Sequence, residues 1–321
     1  AYQDNEEAER INLEAKNLYD KALHSLEKEK KNTQESLENL GNLKLNMYEE
    51  LIIPTIDILN RVPELLDKKD FIFSGKKLKL PNQNDNLEMK KYETSISDII
   101  SGGAKALGTG GLVGLATFGG VGTFAVTTTG TAIAGLSGVA ATNATLAWLG
   151  GGALSVGGLG MAGGMAVLGG IVAAPVLAVA GMVFASKAEE AKNTAYSNFS
   201  LAETSVEELK LAEVRTNGIR RKSDEMIMTL EKLKDLYLKN LNNLQNIIYK
   251  KGVPQKISKR SIKTLFIKKE YHLSWDNKDL ETIAVLHSFY ETTVNILEVD
   301  LILDNGNVNP EVKNKLDLAN E

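Results

Sequence analysis

Positions 106–186 carry no charged side chain, an uninterrupted run of 81 residues between Lys105 and Lys187. Both flanks are densely charged, so composition changes abruptly at those two lysines and marks them as boundaries. The run holds 21 of the 28 glycines. A glycine in a helix interior costs about 1 kcal/mol relative to alanine, so an all-helical block would carry a penalty on the order of 20 kcal/mol. Close approach of helix backbones offsets such a penalty, because Gly and Ala faces admit dispersion contacts that larger residues prevent.

The spacing within the block fits that account. Gly158, Ala162, Ala166, Gly170, Ala174 and Ala178 recur every fourth residue and make one small-residue face. Gly160 and Gly164 form a GxxxG pair beside it, Gly110 and Gly114 form another, and Gly130, Ala134 and Gly138 make a shorter face. Breaks at 127–130, 150–152 and Pro175 divide the block into 106–126, 131–149 and 153–186. A bilayer crossing needs about 20 apolar residues. The last segment is the most hydrophobic and ends in Phe184 and Lys187, as an interfacial anchor does. The first two are rich in Thr and Gly, so their insertion is marginal, as switching between soluble and inserted forms requires. A permanently dry centre of a soluble bundle is the competing reading. Lys90, Lys91 and Lys105 before the block, and Lys187 and Lys192 after it, favour both arms on one face and an even number of crossings.

The flanks read as amphipathic helices. Ile11, Ala15, Leu18, Ala22, Leu26, Leu37, Leu40, Leu51 and Ile52 step by threes and fours. Thr33 and Gly41 weaken that stripe, and Pro54 is expected to kink or end the helix. Beyond the block, Ala188, Ala191, Ala195, Phe199, Ala202, Val206 and Leu209 continue into Ile219, Met226, Leu230, Leu233, Tyr237, Leu241, Leu244 and Ile248. Gly218 is expected to be a flexible point in this second arm. Two arms of similar length around one apolar hairpin predict an antiparallel coiled coil.

Residues 70–86 contain a Ser-Gly turn between short alternating runs, which predicts a small β-hairpin, and 87–100 resumes helix. The β-branched and aromatic segment 261–275 is expected to pair with 71–80. An amphipathic helix over 278–303 is expected to stop at Asn305-Gly306, with loose residues beyond.

The predicted fold is therefore mainly α: an elongated antiparallel bundle or coiled coil, a Gly/Ala-rich apolar hairpin and a small β-containing tip. Its parts are an N-terminal arm (1–69), a hairpin and short helix (70–105), the apolar block (106–186), a C-terminal arm (187–251) and a basic tip with a terminal helix (252–321).

Little in the chain suggests catalysis. There is no Cys, and the three His at 24, 272 and 287 are far apart in sequence, so neither thiolate chemistry nor a local His metal site is available. GGAKALGTGG lacks the order of a phosphate loop, and 304–309 reads as a turn rather than a calcium loop. His24 and Asp57 are expected on solvated helix faces. The expectation is no enzyme, no cofactor and no metal. A net charge of −4 argues against nucleic acid, and no small-molecule substrate is implied. One basic cluster stands out: Lys250, Lys251, Lys256, Lys259, Arg260, Lys263, Lys268 and Lys269, with no acid among them. It suits docking on anionic lipid or an acidic partner, or a solubilising tip. The acidic, polar N-terminus lacks a conventional secretory signal, which points to a cytoplasmic resting pool or non-classical export of a membrane-associated protein.

Residues 131–175, and within them TNATLAWLGGG at 142–152, resemble a block found in uncharacterised bacterial coiled-coil proteins with glycine-zipper centres. In architecture alone the chain resembles apolipoprotein L-like and ClyA-type α-helical pore-forming proteins. That resemblance implies a membrane-inserting effector of the pore-forming kind, with a lipid bilayer and a homo-oligomer or partner coiled coil as its partners. A stably anchored scaffold and a wholly soluble bundle are the alternatives.

Overall fold

A computed structural model describes residues 2–60, 71–73, 76–78, 89, 93, 96, 108–117, 188–251, 275–303 and 307–320. The protein is mainly α and forms a helical bundle. Helix α1 (Tyr2–Met47) passes through a π-helical turn (Tyr48–Ile52) into α2 (Ile53–Asn60). Strands β1 (Phe71–Phe73) and β2 (Lys76–Leu78) follow, then α3 (Gly108–Thr117), α4 (Ala188–Lys250), α5 (Asn277–Leu297) and α6 (Glu311–Asn320).

Pro54 neither ends nor breaks the first arm. The backbone switches to wider π-type bonding just before it, with the Ile53 amide donating to Tyr48 O, and helix resumes at Ile53. Widening the turn is a known way to accommodate a residue that cannot donate in the i→i−4 ladder. Gly218 does not interrupt α4 either, which is continuous over 63 residues.

The pairing of the arms differs from the antiparallel expectation. Glu7 meets Lys192, Asn12 meets Asn198, Ser25 meets Glu213, Glu29 meets Arg220 and Ser36 meets Ser223. The partner number rises with the residue number throughout, so α1 and α4 run parallel. Antiparallel packing is present elsewhere in the bundle. Helix α3 packs antiparallel on α1, and α5 runs against α4, with Lys251 on Asp279 and Tyr237 stacked on Phe289.

Contacts divide the chain into two compact units, and both long helices contribute to each. The first comprises Ala1–Asn42, Gly102–Met226 and Asp300–Pro310. Its α1–α4 seam mixes small and large side chains: Ala8, Ala15, Ala22, Ala195, Ala202 and Ala212 are buried there, with Ile11, Tyr19, Leu26, Leu37, Leu40, Leu209, Ile219 and Met226. Tyr19 occupies the seam where Leu18 was expected, and Leu18 is exposed. A short strand-like turn closes this unit, with Ile302 bridged to Val308 and the Leu303 amide donating to Asn307 O.

The second unit comprises Leu43–Ser101, Ile227–Val299 and Glu311–Glu321. Its core is made of large side chains. Tyr48, Leu51, Ile52, Ile56 and Leu59 pack with Leu230, Leu233, Tyr237, Leu241 and Leu244, and α5 adds Ile283, Leu286, Ile296 and Leu297. Helix α5 begins with a capping box between Asp276 and Asp279. It ends at Leu297, short of the expected 303, and residues 311–320 are helical rather than loose, with Val312 and Leu316 buried. The expected hairpin is present: β1 and β2 pair antiparallel with Phe71 opposite Leu78, and they lie against α5. Met89 and Ile96 are helical and buried, in line with helix over 87–100. The expected strand at 261–275 lies outside the described residues, apart from Trp275.

Within this unit Lys44 is fully buried and its ammonium donates to Leu297 O at 3.0 Å. A cation at a helix C-terminus satisfies a carbonyl that has no partner in its own helix and complements the macrodipole. Beside it the Tyr48 hydroxyl donates to Glu298 Oε1 at 3.0 Å, and the Tyr237 hydroxyl, which burial makes a weaker acid, contacts Thr55 Oγ1 at 2.9 Å.

Two stability predictions follow from this packing. A Cβ added at Gly218 meets nothing within 4 Å, so Gly218→Ala is expected to raise stability by about 0.5–1 kcal/mol in chemical denaturation. Lys44→Met removes a donor from a buried carbonyl and is expected to cost about 1–3 kcal/mol in the same assay.

Candidate functional site

The candidate site is the first unit's seam together with the mount that holds the start of the apolar block. The apolar stripes of α1 and α4 place their polar members at the seam, where Thr33, Ser36, Asn198, Ser205, Thr216 and Ser223 are all buried. The hydrogen bonds of Thr33, Ser36, Asn198 and Ser223 cross between the helices, whereas the Ser205 and Thr216 hydroxyls donate to Leu201 O and Ala212 O within α4. Thr33 Oγ1 donates to Thr216 O at 3.3 Å, and Asn198 Nδ2 donates to Asn12 Oδ1 at 2.9 Å. Ser36 Oγ lies 2.9 Å from Ser223 Oγ and 2.5 Å from Asp224 Oδ1. With a single hydroxyl proton, Ser36 donates to the carboxylate and accepts from Ser223.

Charges line the edge of the seam. Arg220 Nε donates to Glu29 Oε1 at 2.6 Å, Asn217 adds a 3.2 Å bond to the same oxygen, and Lys192 pairs with Glu7 at 2.7 Å. Lys192 holds the Glu7 carboxyl below its usual range, and Glu29 strengthens the Arg220 cation. A depressed carboxyl contributes stability above its unfolded value and loses it as pH falls through the folded one. Tyr19 buries its hydroxyl with no hydrogen-bond partner, and that burial raises its pKa. Each buried alanine removes far less apolar surface from water than a leucine, so along this seam the burial of Leu26, Leu37, Leu40, Leu209, Ile219 and Met226 supplies most of the apolar contact.

The mount lies at Gly41. A Cβ there would sit 2.7 Å from the carbonyl carbon of Leu112 and closer still to its oxygen, so only glycine lets α3 cross α1 at this point. Val113, Gly114, Leu115, Ala116 and Thr117 are buried. The Thr117 hydroxyl donates back to Val113 O at 2.9 Å, and Thr117 O accepts from the amides of Leu301 at 2.8 Å and Ile302 at 3.2 Å. Three segments remote in sequence therefore meet at the start of the apolar block. Lys192, which follows the block in sequence, sits beside Glu7 in the same unit. Leu112 and Lys192 are thus separated by the α1 length from Gly41 to Glu7, about 50 Å at 1.5 Å per residue.

Of the residues singled out from sequence, Gly110 and Gly114 lie on α3, and Gly114 is buried. Gly130, Ala134, Gly138, Gly158, Gly160, Ala162, Gly164, Ala166, Gly170, Ala174 and Ala178 lie outside the described residues. So do Lys256, Lys259, Arg260, Lys263, Lys268 and Lys269. Lys250 is exposed, as a basic surface requires. Lys251 is not a free surface charge: its ammonium pairs with Asp279 at 2.7 Å and lies 5.3 Å from the Trp275 ring centroid. His24 is exposed, whereas Asp57 is half-buried rather than fully solvated. Sequence reasoning missed Lys44, Ser36 and Ser223 as structural residues. The signal for Lys44 was available, because it stands four residues from both Leu40 and Tyr48 on the apolar stripe.

Among the described residues no cluster of His, Asp and Glu could hold a metal ion, and no helix is long and apolar enough to cross a membrane. Gly41→Ala is expected to destabilise the first unit by about 1–3 kcal/mol, read as faster proteolysis at sites within it. No protein-family model, curated protein or solved structure matches the chain.

Proposed function

We propose that the protein is a membrane-inserting α-helical effector of the pore-forming class, whose arms shield the apolar 106–186 block until oligomerisation or lipid contact releases it. The observation that carries this reading is the α1–α4 seam of the unit in which the apolar block begins. Six alanines and several polar side chains are buried along it, beside larger residues such as Leu26, Leu37, Leu40, Ile219 and Met226. A shield must open at modest cost, and a seam of this kind supplies that property. Lipid and a second copy of the chain are the partners this reading requires, and the exposed Lys250 suits contact with anionic lipid.

A second reading, a water-soluble bundle that never inserts, draws support from α3. Its residues 113–117 belong to the charge-free block yet are buried against protein. A permanently anchored scaffold is the third possibility and predicts extraction only with detergent and vesicles that stay sealed.

The seam itself offers a test. The chain has no cysteine, and the 2.9 Å between Ser36 Oγ and Ser223 Oγ is close enough for two Sγ atoms to close to about 2.0 Å. Dye-loaded anionic vesicles are expected to leak with wild type and with reduced Ser36→Cys/Ser223→Cys. The oxidised form is expected to leave them sealed, and added reductant restores leakage. Absence of both leakage and flotation for wild type in every lipid mixture would rule the reading out.

A further inference from the structure

We infer that α3 is a fixed mount, so that any release of the apolar block begins after Thr117 rather than at the composition boundary beside Lys105. This inference rests on the insertion reading and sharpens it by separating the part that stays from the part that leaves. Composition alone assigns 106–117 to the inserting block, since those residues are as free of charge as the rest. The contacts assign α3 differently.

Three independent restraints converge on α3. Its Leu112 backbone is seated on Gly41, at a distance no other residue type at position 41 permits. Its C-terminal turn is buried from Val113 to Thr117, with the Thr117 hydroxyl satisfied by Val113 O and Gly114 O. Its last carbonyl accepts two amide hydrogens, from Leu301 and Ile302. Those donors are themselves fixed, because Ile302 bridges Val308 and the Asn309 amide donates to Leu301 O. Extracting α3 into lipid would strand the Leu301 and Ile302 amides and expose a chain-wide contact at Gly41. A helix of 10 residues is also about half the length needed for a crossing. Gly114 is buried within the protein.

The Leu301 and Ile302 amides report directly on the mount, because their acceptor is Thr117 O. Hydrogen exchange of the full chain is measured at those two amides, in buffer and with phosphatidylcholine/phosphatidylserine vesicles, alongside flotation. The expected result is that vesicle-bound protein keeps both amides protected. Bound protein that loses both protections overturns the mount and leaves insertion intact. Failure to float overturns the insertion reading, and the mount is then decided in buffer with Gly41→Ala. There the two amides are expected to exchange about tenfold faster or more, while amides in the middle of α5 keep their protection. Unchanged exchange at Leu301 and Ile302 in Gly41→Ala overturns the mount.

Discussion

The parallel pairing of α1 with α4 is the constraint on which the rest of the first unit depends. Two helices joined by a short loop are antiparallel neighbours. A parallel pair obliges the intervening chain to travel back along the pair before the second helix can start. Here Leu112 lies at the level of Gly41 and Lys192 at the level of Glu7.

The seam that results is unlike the core of the second unit. In the first unit, alanines and serines meet, and Ser36, Ser223, Asp224, Asn12 and Asn198 bridge the helices by hydrogen bonds. Buried polar pairs of this kind specify register and direction more than they add stability. In the second unit, Tyr48, Leu51, Ile56, Leu241 and Leu244 remove large apolar surfaces from water, and Lys44 closes the end of α5. The same two helices thus carry more alanine and more cross-helix hydrogen bonds along one part of their length, and more large apolar side chains along another.

Much of the helical content was legible in the residues. Ile11, Ala15, Leu26, Leu209, Leu230 and Leu244 are buried where their three-and-four spacing placed them, and the Ser-Gly turn correctly marked the hairpin at Phe71–Leu78. Pro54 does not end the first arm as one of its two expected outcomes had it, because the π turn just before it accommodates the missing donor. The C-terminal residues were misread because Val312 and Leu316 find partners that only the folded chain provides. Lys44 shows the same limit from the other side: a charged residue on an apolar stripe signals a specific acceptor without saying which.

By itself, the sequence determined that the chain has two amphipathic helical arms, a charge-free glycine-rich block between Lys105 and Lys187, and a β-hairpin after the first arm. These follow from local periodicity and composition, which act over a few turns. Only the tertiary structure decided the direction of pairing and the place where the apolar stretch is held. An apolar stripe reads the same along either direction of a helix, so it cannot choose between parallel and antiparallel partners. Gly41 likewise became necessary only when the Leu112 backbone came to lie across it.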